Sequence, residues 1–115
     1  MKKAGPMVLV NFPQTNQARG KLRPALLLGK LPTSYDDWLV CMISSQQQHY
    51  IHGFDEFIDH HSPDFSSSGL KAPSVIRVSR LAVIEGHRLV GAIGEISAER
   101  LRIIKTNLAT WLTTM

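Results

Sequence analysis

The chain is poor in the residues and patterns on which disulfide, metal and membrane proteins depend. It has one cysteine in 115 residues, Cys41, and therefore no internal disulfide. No Cys pair, HExxH, Walker A or GxGxxG pattern occurs. Its apolar runs are far shorter than the roughly 18 residues that span a bilayer, and its start lacks a signal-type hydrophobic segment. We expect a cytoplasmic protein that uses no metal and no cofactor.

The composition is that of an ordinary globular domain. Hydrophobic residues make up 43% of the chain and charged residues 19%, which excludes wholesale disorder. A length of 115 residues suits one domain, which we expect to span residues 1–115. Thirteen Lys and Arg against nine Asp and Glu leave a net charge of +4, which favours encounter with nucleic acid or another polyanion.

Short apolar runs predict about five β strands. Two of them are continuous and bounded by polar or turn residues, which is typical of central strands. The runs are Met7–Phe12, Pro24–Leu28, Leu39–Ile43, Ser74–Val78, Leu81–Glu85 and Leu89–Ile96. Ser79-Arg80 splits Ser74–Val78 from Leu81–Glu85, either as a break between two strands or as a bend in one long strand. For the segment 46–68, the sequence does not decide between a helical turn and a ragged strand.

The last part of the chain predicts an amphipathic helix. Ser97 is a suitable N-cap, and Glu99 lies in the first turn, where a negative charge suits the helix dipole. Apolar residues then recur every three or four positions, at Leu101, Ile104, Leu108 and Leu112. The sequence thus predicts a mainly β fold with a C-terminal helix, of α+β or small-barrel type.

Arg23 and the cluster Ser44-Ser45-Gln46 are the candidates for chemistry. Arg23 begins one central strand and the cluster ends the other, so a fixed guanidinium would face hydroxyls and an amide, a set suited to gripping phosphate without a metal. Ser44 or Ser45 would donate to a non-bridging oxygen, and Gln46 would orient a sugar or base edge. The alternatives are an Arg23 paired with Asp36 or Asp37, and serines that are merely solvated.

A general base is harder to identify. The five histidines all sit in polar surroundings, and His60-His61 beside Asp59 match no strong metal template, so surface histidines are the simpler interpretation. Further cations, Arg19, Lys21, Arg77 and Arg80, would build a basic groove. A solvated sheet face is the alternative.

The order of several sequence blocks resembles the MazF/PemK toxin endoribonucleases. The resemblance covers nearly the whole chain, and the blocks are Met7–Pro13, Lys21–Leu28, Val40–Gln46, Ser68–Arg77 and Ile93–Ser97. It implies a compact, SH3-like β-barrel with a C-terminal helix, assembled as a homodimer. It also implies metal-independent cleavage of single-stranded RNA to a 2′,3′-cyclic phosphate and a 5′-hydroxyl, and neutralisation by a small acidic antitoxin.

Carried onto this chain, the family's catalytic arginine falls on Arg23 and its catalytic hydroxyl on Ser44. The loop from Pro13 to Leu22 corresponds to the family's RNA and antitoxin contacts. Together with the groove residues, the predicted RNA-binding set is Gln14, Arg19, Lys21, Ser45, Gln46 and Arg77.

Two departures distinguish this chain from the family pattern. Gly5-Pro6 replaces the usual Gly-Asp ahead of the first strand, and Ser44 replaces a frequent Thr. The serine keeps the hydroxyl donor, whereas the proline removes a backbone donor and a carboxylate. The leading hypothesis is a sequence-specific mRNA endonuclease that acts as the toxin of a toxin–antitoxin pair. The rival is a catalytically inactive barrel that binds nucleic acid or an antitoxin-like partner as a regulator.

Overall fold

The computed structural model describes residues 5–12 and 21–115, and it is built on one antiparallel sheet with a long C-terminal helix. The helices are α1, Phe65–Ser68, and α2, Ala98–Thr114. Short 3-10 turns span Gln47–His49 and Gly86–Arg88. The strands are β1, Pro6–Phe12; β2, Lys21–Lys30; β3, Asp37–Ser44; β4, Glu56–Ile58; β5, Ser74–Glu85; and β6, Leu89–Glu95.

The six strands pair in the order β4-β5-β3-β2-β1-β6, and every pairing is antiparallel. The predicted mainly β fold with a C-terminal helix is confirmed. Ser74–Val78 and Leu81–Glu85 belong to one long strand, so Ser79-Arg80 is not a break between two strands. Within the described ranges, β4 and β6 lie at opposite ends of this order and do not pair. The sheet is therefore open where a closed SH3-like barrel was expected.

Both faces of the central strands are buried, which explains why their sequences are continuously apolar. Because side chains alternate along a strand, neighbouring residues enter different cores. The first core includes α2 and contains Met7, Leu26, Leu28, Cys41, Ile58, Ile76, Val78, Ile96 and Ile104. The second contains Val8, Val10, Ala25, Leu27, Trp38, Val40 and Ile84.

Burial changes the chemistry of the thiol in the first core. Cys41 has no exposed surface. Burial, with a smaller effect from the Asp55 carboxylate, raises the pKa of the Cys41 thiol to about 12. The prediction that Cys41 is a small buried hydrophobe is confirmed.

The Gly5-Pro6 pair begins the sheet without a break in hydrogen bonding. The Gly5 N–H donates to the Leu27 carbonyl over 2.8 Å, and the Gly5 carbonyl accepts from the Ile96 N–H over 3.2 Å. Pro6 is the first residue of β1, a position in which a missing N–H is tolerated. Gly5 has a φ of 109°, which favours glycine.

Helix α2 begins where the sequence predicts. The Ser97 hydroxyl accepts a hydrogen bond from the Arg100 N–H over 3.1 Å, which is the expected N-cap. Ile104 is fully buried in the first core, and Leu101 and Leu108 pack against it. The apolar stripe thus fixes the helix on one face of the sheet, while Leu112 remains 55% exposed near its end.

Arg100 ties the start of α2 to two distant carboxylates. Its Nε donates to Asp64 Oδ2 over 2.8 Å, and its Nη1 donates to Glu56 Oε1 over 3.0 Å. Burial would raise the pKa of Asp64, but hydrogen bonds from Arg100 and Ser97 and the Arg100 charge outweigh it and lower that pKa. The pKa of Glu56 is raised, chiefly because the carboxyl is desolvated.

A large irregularity bends β5 beside the end of β3. Met42 pairs with Arg77, whereas its neighbour Cys41 pairs with Leu81, so residues 78–80 have no partners in the ladder with β3. Such a bulge re-aims the side chains that it carries. The predicted bend at Ser79-Arg80 lies within it.

Candidate nucleic-acid groove

The strand register brings Arg23 and Ser44 together. Ala25 pairs with Met42, and continuing this antiparallel register by two residues places Arg23 across from Ser44. Both residues line one groove with a volume of about 640 Å³ at the end of the second core. A guanidinium and a hydroxyl on neighbouring strands thus face the same space.

The groove is positively charged. Three arginines line it: Arg23 from β2, and Arg77 and Arg80 from the bent part of β5. None of the described residues that line it is acidic. Since no carboxylate neutralises these cations inside the groove, the site favours an anionic ligand.

Arg23 is available to such a ligand. It is exposed and makes no hydrogen bond or ion pair with any residue in the described ranges. The alternative pairing with Asp37 is not observed, because Asp37 begins β3 and Ser44 ends it. Asp36 is likewise at the far end, where it accepts a hydrogen bond from the Trp38 indole over 2.7 Å.

Arg77 carries a donor that the fold does not satisfy. Its Nε is buried and has no hydrogen-bond partner among the described residues. A buried donor without a partner costs free energy, commonly about 1–3 kcal/mol. An acceptor such as a phosphate oxygen, entering the groove, would remove that cost.

Ser44 lies in a small hydrogen-bond network at the groove wall. Its Oγ lies 2.9 Å from Nδ1 of His49 and accepts the Gln46 N–H over 3.1 Å. The Gln46 side chain in turn accepts from Nε2 of Gln48 over 3.0 Å. The 3-10 turn Gln47–His49 folds the chain back so that the imidazole reaches the hydroxyl.

The remaining predicted residues divide between the groove and other places. Gln46 lines the groove, whereas Ser45 is exposed and is not part of its lining. Gln14 and Arg19 lie outside the described residues, as does the side chain of Lys21, whose backbone begins β2.

His49 is the groove residue that the sequence analysis did not single out. Among five histidines in polar surroundings, it alone follows Ser44 closely, at a separation of five residues. That separation brings the two together only because a 3-10 turn intervenes, and the run Gln46-Gln47-Gln48 carries no strong signal for such a turn.

Two further observations concern the described part of the chain. Its His, Cys, Asp and Glu residues form no group of three or more that could hold a metal ion. None of its helices combines the length and apolar character needed to cross a membrane.

Comparison with known proteins agrees with this architecture. The family model of the PemK-like, MazF-like toxin of type II toxin–antitoxin systems matches residues 3–112. No curated protein matches the chain significantly. The chain belongs to this toxin family, whose members are endoribonucleases, so the predicted family and enzyme class are confirmed.

Solved structures show the same fold at low sequence identity. The MazE–MazF structure (form II) from Deinococcus radiodurans is 21% identical, with a TM-score of 0.72 over 99% of this chain and 97% of that one. The Mycobacterium tuberculosis toxin MazF-mt6 is 17% identical, with a TM-score of 0.65 over 94% and 96%. An endoribonuclease in complex with its cognate antitoxin from Mycobacterial species is 12% identical, with a TM-score of 0.67 over 100% and 98%.

Proposed function

We propose that this chain cleaves single-stranded RNA, mRNA in particular, at short sequences and without a metal, and that it acts as a growth-arresting toxin. The observation that carries the proposal is that Arg23 and Ser44, from neighbouring strands, line one groove together with two more arginines and no described carboxylate. Membership of the toxin family supports the same reaction.

The proposed cleavage uses the 2′-hydroxyl of the RNA as its nucleophile. That oxygen loses its proton and attacks the adjacent phosphorus, the bond to the 5′-oxygen breaks, and the leaving oxygen takes up a proton. The products are a 2′,3′-cyclic phosphate and a 5′-hydroxyl. The reaction therefore needs two proton transfers and stabilisation of the extra negative charge of the phosphorane.

Arg23 and Ser44 stabilise this charge in the proposal. The Arg23 guanidinium stays charged and presents a planar fork of donors to phosphate oxygens, so it stabilises the phosphorane and the leaving 5′-oxygen by hydrogen bonds. Water accepts the proton of the 2′-hydroxyl and supplies the proton of the new 5′-hydroxyl. The Ser44 hydroxyl donates to a non-bridging oxygen. Arg77 and Gln46 hold the flanking strand, the first through its unsatisfied donor and the second through its amide.

The proposed partners follow from the same groove and family. A small acidic antitoxin would complement a chain with a net charge of +4. Similar structures include MazE–MazF pairs. We propose that the active form is a homodimer. We also propose that the protein acts in the cytoplasm, because its proposed substrate is mRNA.

The test is a digest of a long single-stranded RNA by the purified protein in EDTA, followed by sequencing of the new ends. We expect discrete cuts that bear 5′-hydroxyls, equal in rate with and without the chelator. RNA that is retarded in a gel but never cut would show the rival function, a binding module. Cutting that stops in EDTA would contradict the metal-independent mechanism.

A further inference from the structure

The hydroxyl of Ser44 has fewer free positions than its place in the groove suggests. A serine hydroxyl can donate one hydrogen bond and accept two. The Gln46 N–H already fills one acceptor position, over 3.1 Å. The direction of the 2.9 Å hydrogen bond to His49 Nδ1 therefore decides whether the hydroxyl proton is available to a ligand.

The hydrogen on Nδ1 of His49 decides this direction, and only the protonated ring always carries one. When the neutral ring has its hydrogen on Nε2, Nδ1 accepts the hydroxyl hydrogen, and Ser44 has no donor left for a phosphate. When Nδ1 carries a hydrogen, in the neutral Nδ1–H tautomer or in the protonated ring, it donates to Ser44 and fills the second acceptor position. The hydroxyl hydrogen then has no acceptor in this network and turns to the groove.

We propose that His49 is a positioning residue which, in its protonated form, makes the Ser44 hydroxyl a donor aimed at the scissile phosphate. The inference rests on the proposed function, since it assigns a regulator to the same site. It gives cleavage an activating protonation that does not involve Arg23. His49 acts through Ser44 and need not touch the RNA.

Among the described residues, few other titrating groups surround His49. The groove residues that face it from the other elements are Arg23 on β2 and Arg77 and Arg80 on β5, all permanently charged. On its own turn, Gln47 and Gln48 are neutral. Beyond the turn, Tyr50 and His52 lie in edge contact with each other, with ring centroids 6.2 Å apart. His52 is thus the neighbouring group whose titration must be separated from that of His49.

The first test compares cleavage by wild type, His49→Asn and His49→Ala across about pH 5 to 8, where histidines change charge. The asparagine amide can donate to Ser44 at every pH. We expect the ratio of His49→Asn to wild-type activity to rise with pH. His49→Ala also offers Ser44 no acceptor, so the ratio of its activity to wild-type activity should rise with pH in the same direction. His52→Asn is the matched control and should follow wild type. Parallel profiles for wild type and His49→Asn would overturn the proposal.

A double-mutant cycle separates positioning from direct contact with RNA. If His49 acts through Ser44, His49→Ala should have no further effect once Ser44→Ala is present. An equal effect of His49→Ala with and without Ser44→Ala would overturn the proposed route through the hydroxyl.

A binding measurement keeps this inference distinct from the proposed function. With a 2′-deoxy-substituted oligonucleotide that cannot be cleaved, wild-type affinity should fall more steeply with rising pH than the affinity of His49→Asn. If wild type never cuts RNA, the proposed function fails, but this comparison still decides the role of His49. Identical pH dependence for the two proteins would refute it.

Discussion

Asp55 holds Ser79 by two hydrogen bonds across 24 positions of the chain. Oδ1 of Asp55 accepts the Ser79 N–H over 3.0 Å, and Oδ2 lies 3.2 Å from the Ser79 hydroxyl. Oδ2 also accepts the Ile51 N–H over 3.0 Å, although the carboxylate is only 2% exposed. The buried Asp55 carboxylate therefore holds the bulge of β5, beside which Arg77 and Arg80 line the groove, by hydrogen bonds to Ser79.

We expect Asp55→Ala to weaken both the fold and the RNA site. It would leave the N–H groups of Ile51 and Ser79 without their acceptor, at about 1–3 kcal/mol for each group that water cannot reach. Urea unfolding measures the change in the free energy of unfolding. RNA affinity, measured under conditions in which the variant is folded, shows whether the bulge has been displaced. Asp59→Ala is the control, because the hydrogen bonds of Asp59 are local, to His61 and Ser62. Equal losses for the two variants would argue against a special role of the bulge.

Arg23→Ala should abolish RNA cleavage and leave the fold intact. The side chain is exposed and unpartnered within the described ranges, so its removal should change the free energy of unfolding by less than about 0.5 kcal/mol. Loss of the phosphorane donor should lower the cleavage rate by at least ~10²-fold. Arg102→Ala, an exposed change on α2, should cleave normally. A folded Arg23→Ala protein with full activity would falsify the assignment.

Arg77→Met should reduce RNA affinity without loss of stability. The change removes a buried Nε that has no described partner, so the folded protein should be as stable or more stable. Because each phosphate contact releases counterions, the slope of log affinity against log salt should become shallower by about 0.7. Titrations at several salt concentrations measure it. An unchanged slope would mean that Arg77 does not contact phosphate.

The two carboxylates bound to Arg100 should respond to pH in opposite ways. The folded-state pKa of Asp64 is lowered, so its stabilisation is complete above the ordinary value of 3.8 and is lost as pH falls through the lowered value. Asp64→Asn should therefore destabilise the protein near pH 7, by about 1.5–3 kcal/mol for a hydrogen-bonded charge. The loss of stability caused by Asp64→Asn should become smaller as pH falls.

Glu56→Gln is the matched comparison for Asp64→Asn. The folded-state pKa of Glu56 is raised above 4.5, so its protonation stabilises the fold at low pH, and that stabilisation is lost as pH rises through the raised value. The neutral glutamine should therefore be tolerated near pH 7. Urea unfolding of both variants from pH 3 to 7 measures the two trends. A deficit of Glu56→Gln that matches the deficit of Asp64→Asn would contradict them.

The sequence predicts the elements that depend on local pattern. Continuous apolar runs indicate β2 and β3, and the Ser97 cap with its apolar stripe indicates α2. These runs do not set a register, since both faces are buried and a one-residue slip keeps apolar residues inside. That Arg23 and Ser44 share one groove is therefore predicted only by their positions at strand ends and by the family resemblance.

The features that the sequence does not predict are non-local or depend on short turns. Strand β4 has three residues and exists only because β5 pairs with it. Arg100 and Asp64 are 36 positions apart, and nothing in the sequence around either residue predicts their ion pair. The contact between His49 and Ser44 needs one particular 3-10 turn.

The placement of Cys41 makes its thiol unreactive towards oxidants. Peroxides and disulfides react with the thiolate, and a thiol whose pKa is about 12 supplies almost none of it at neutral pH. Cys41 lies three positions before Ser44. Because its thiol is unreactive, oxidation of Cys41 cannot inactivate the groove, and a disulfide through Cys41 cannot cross-link two copies.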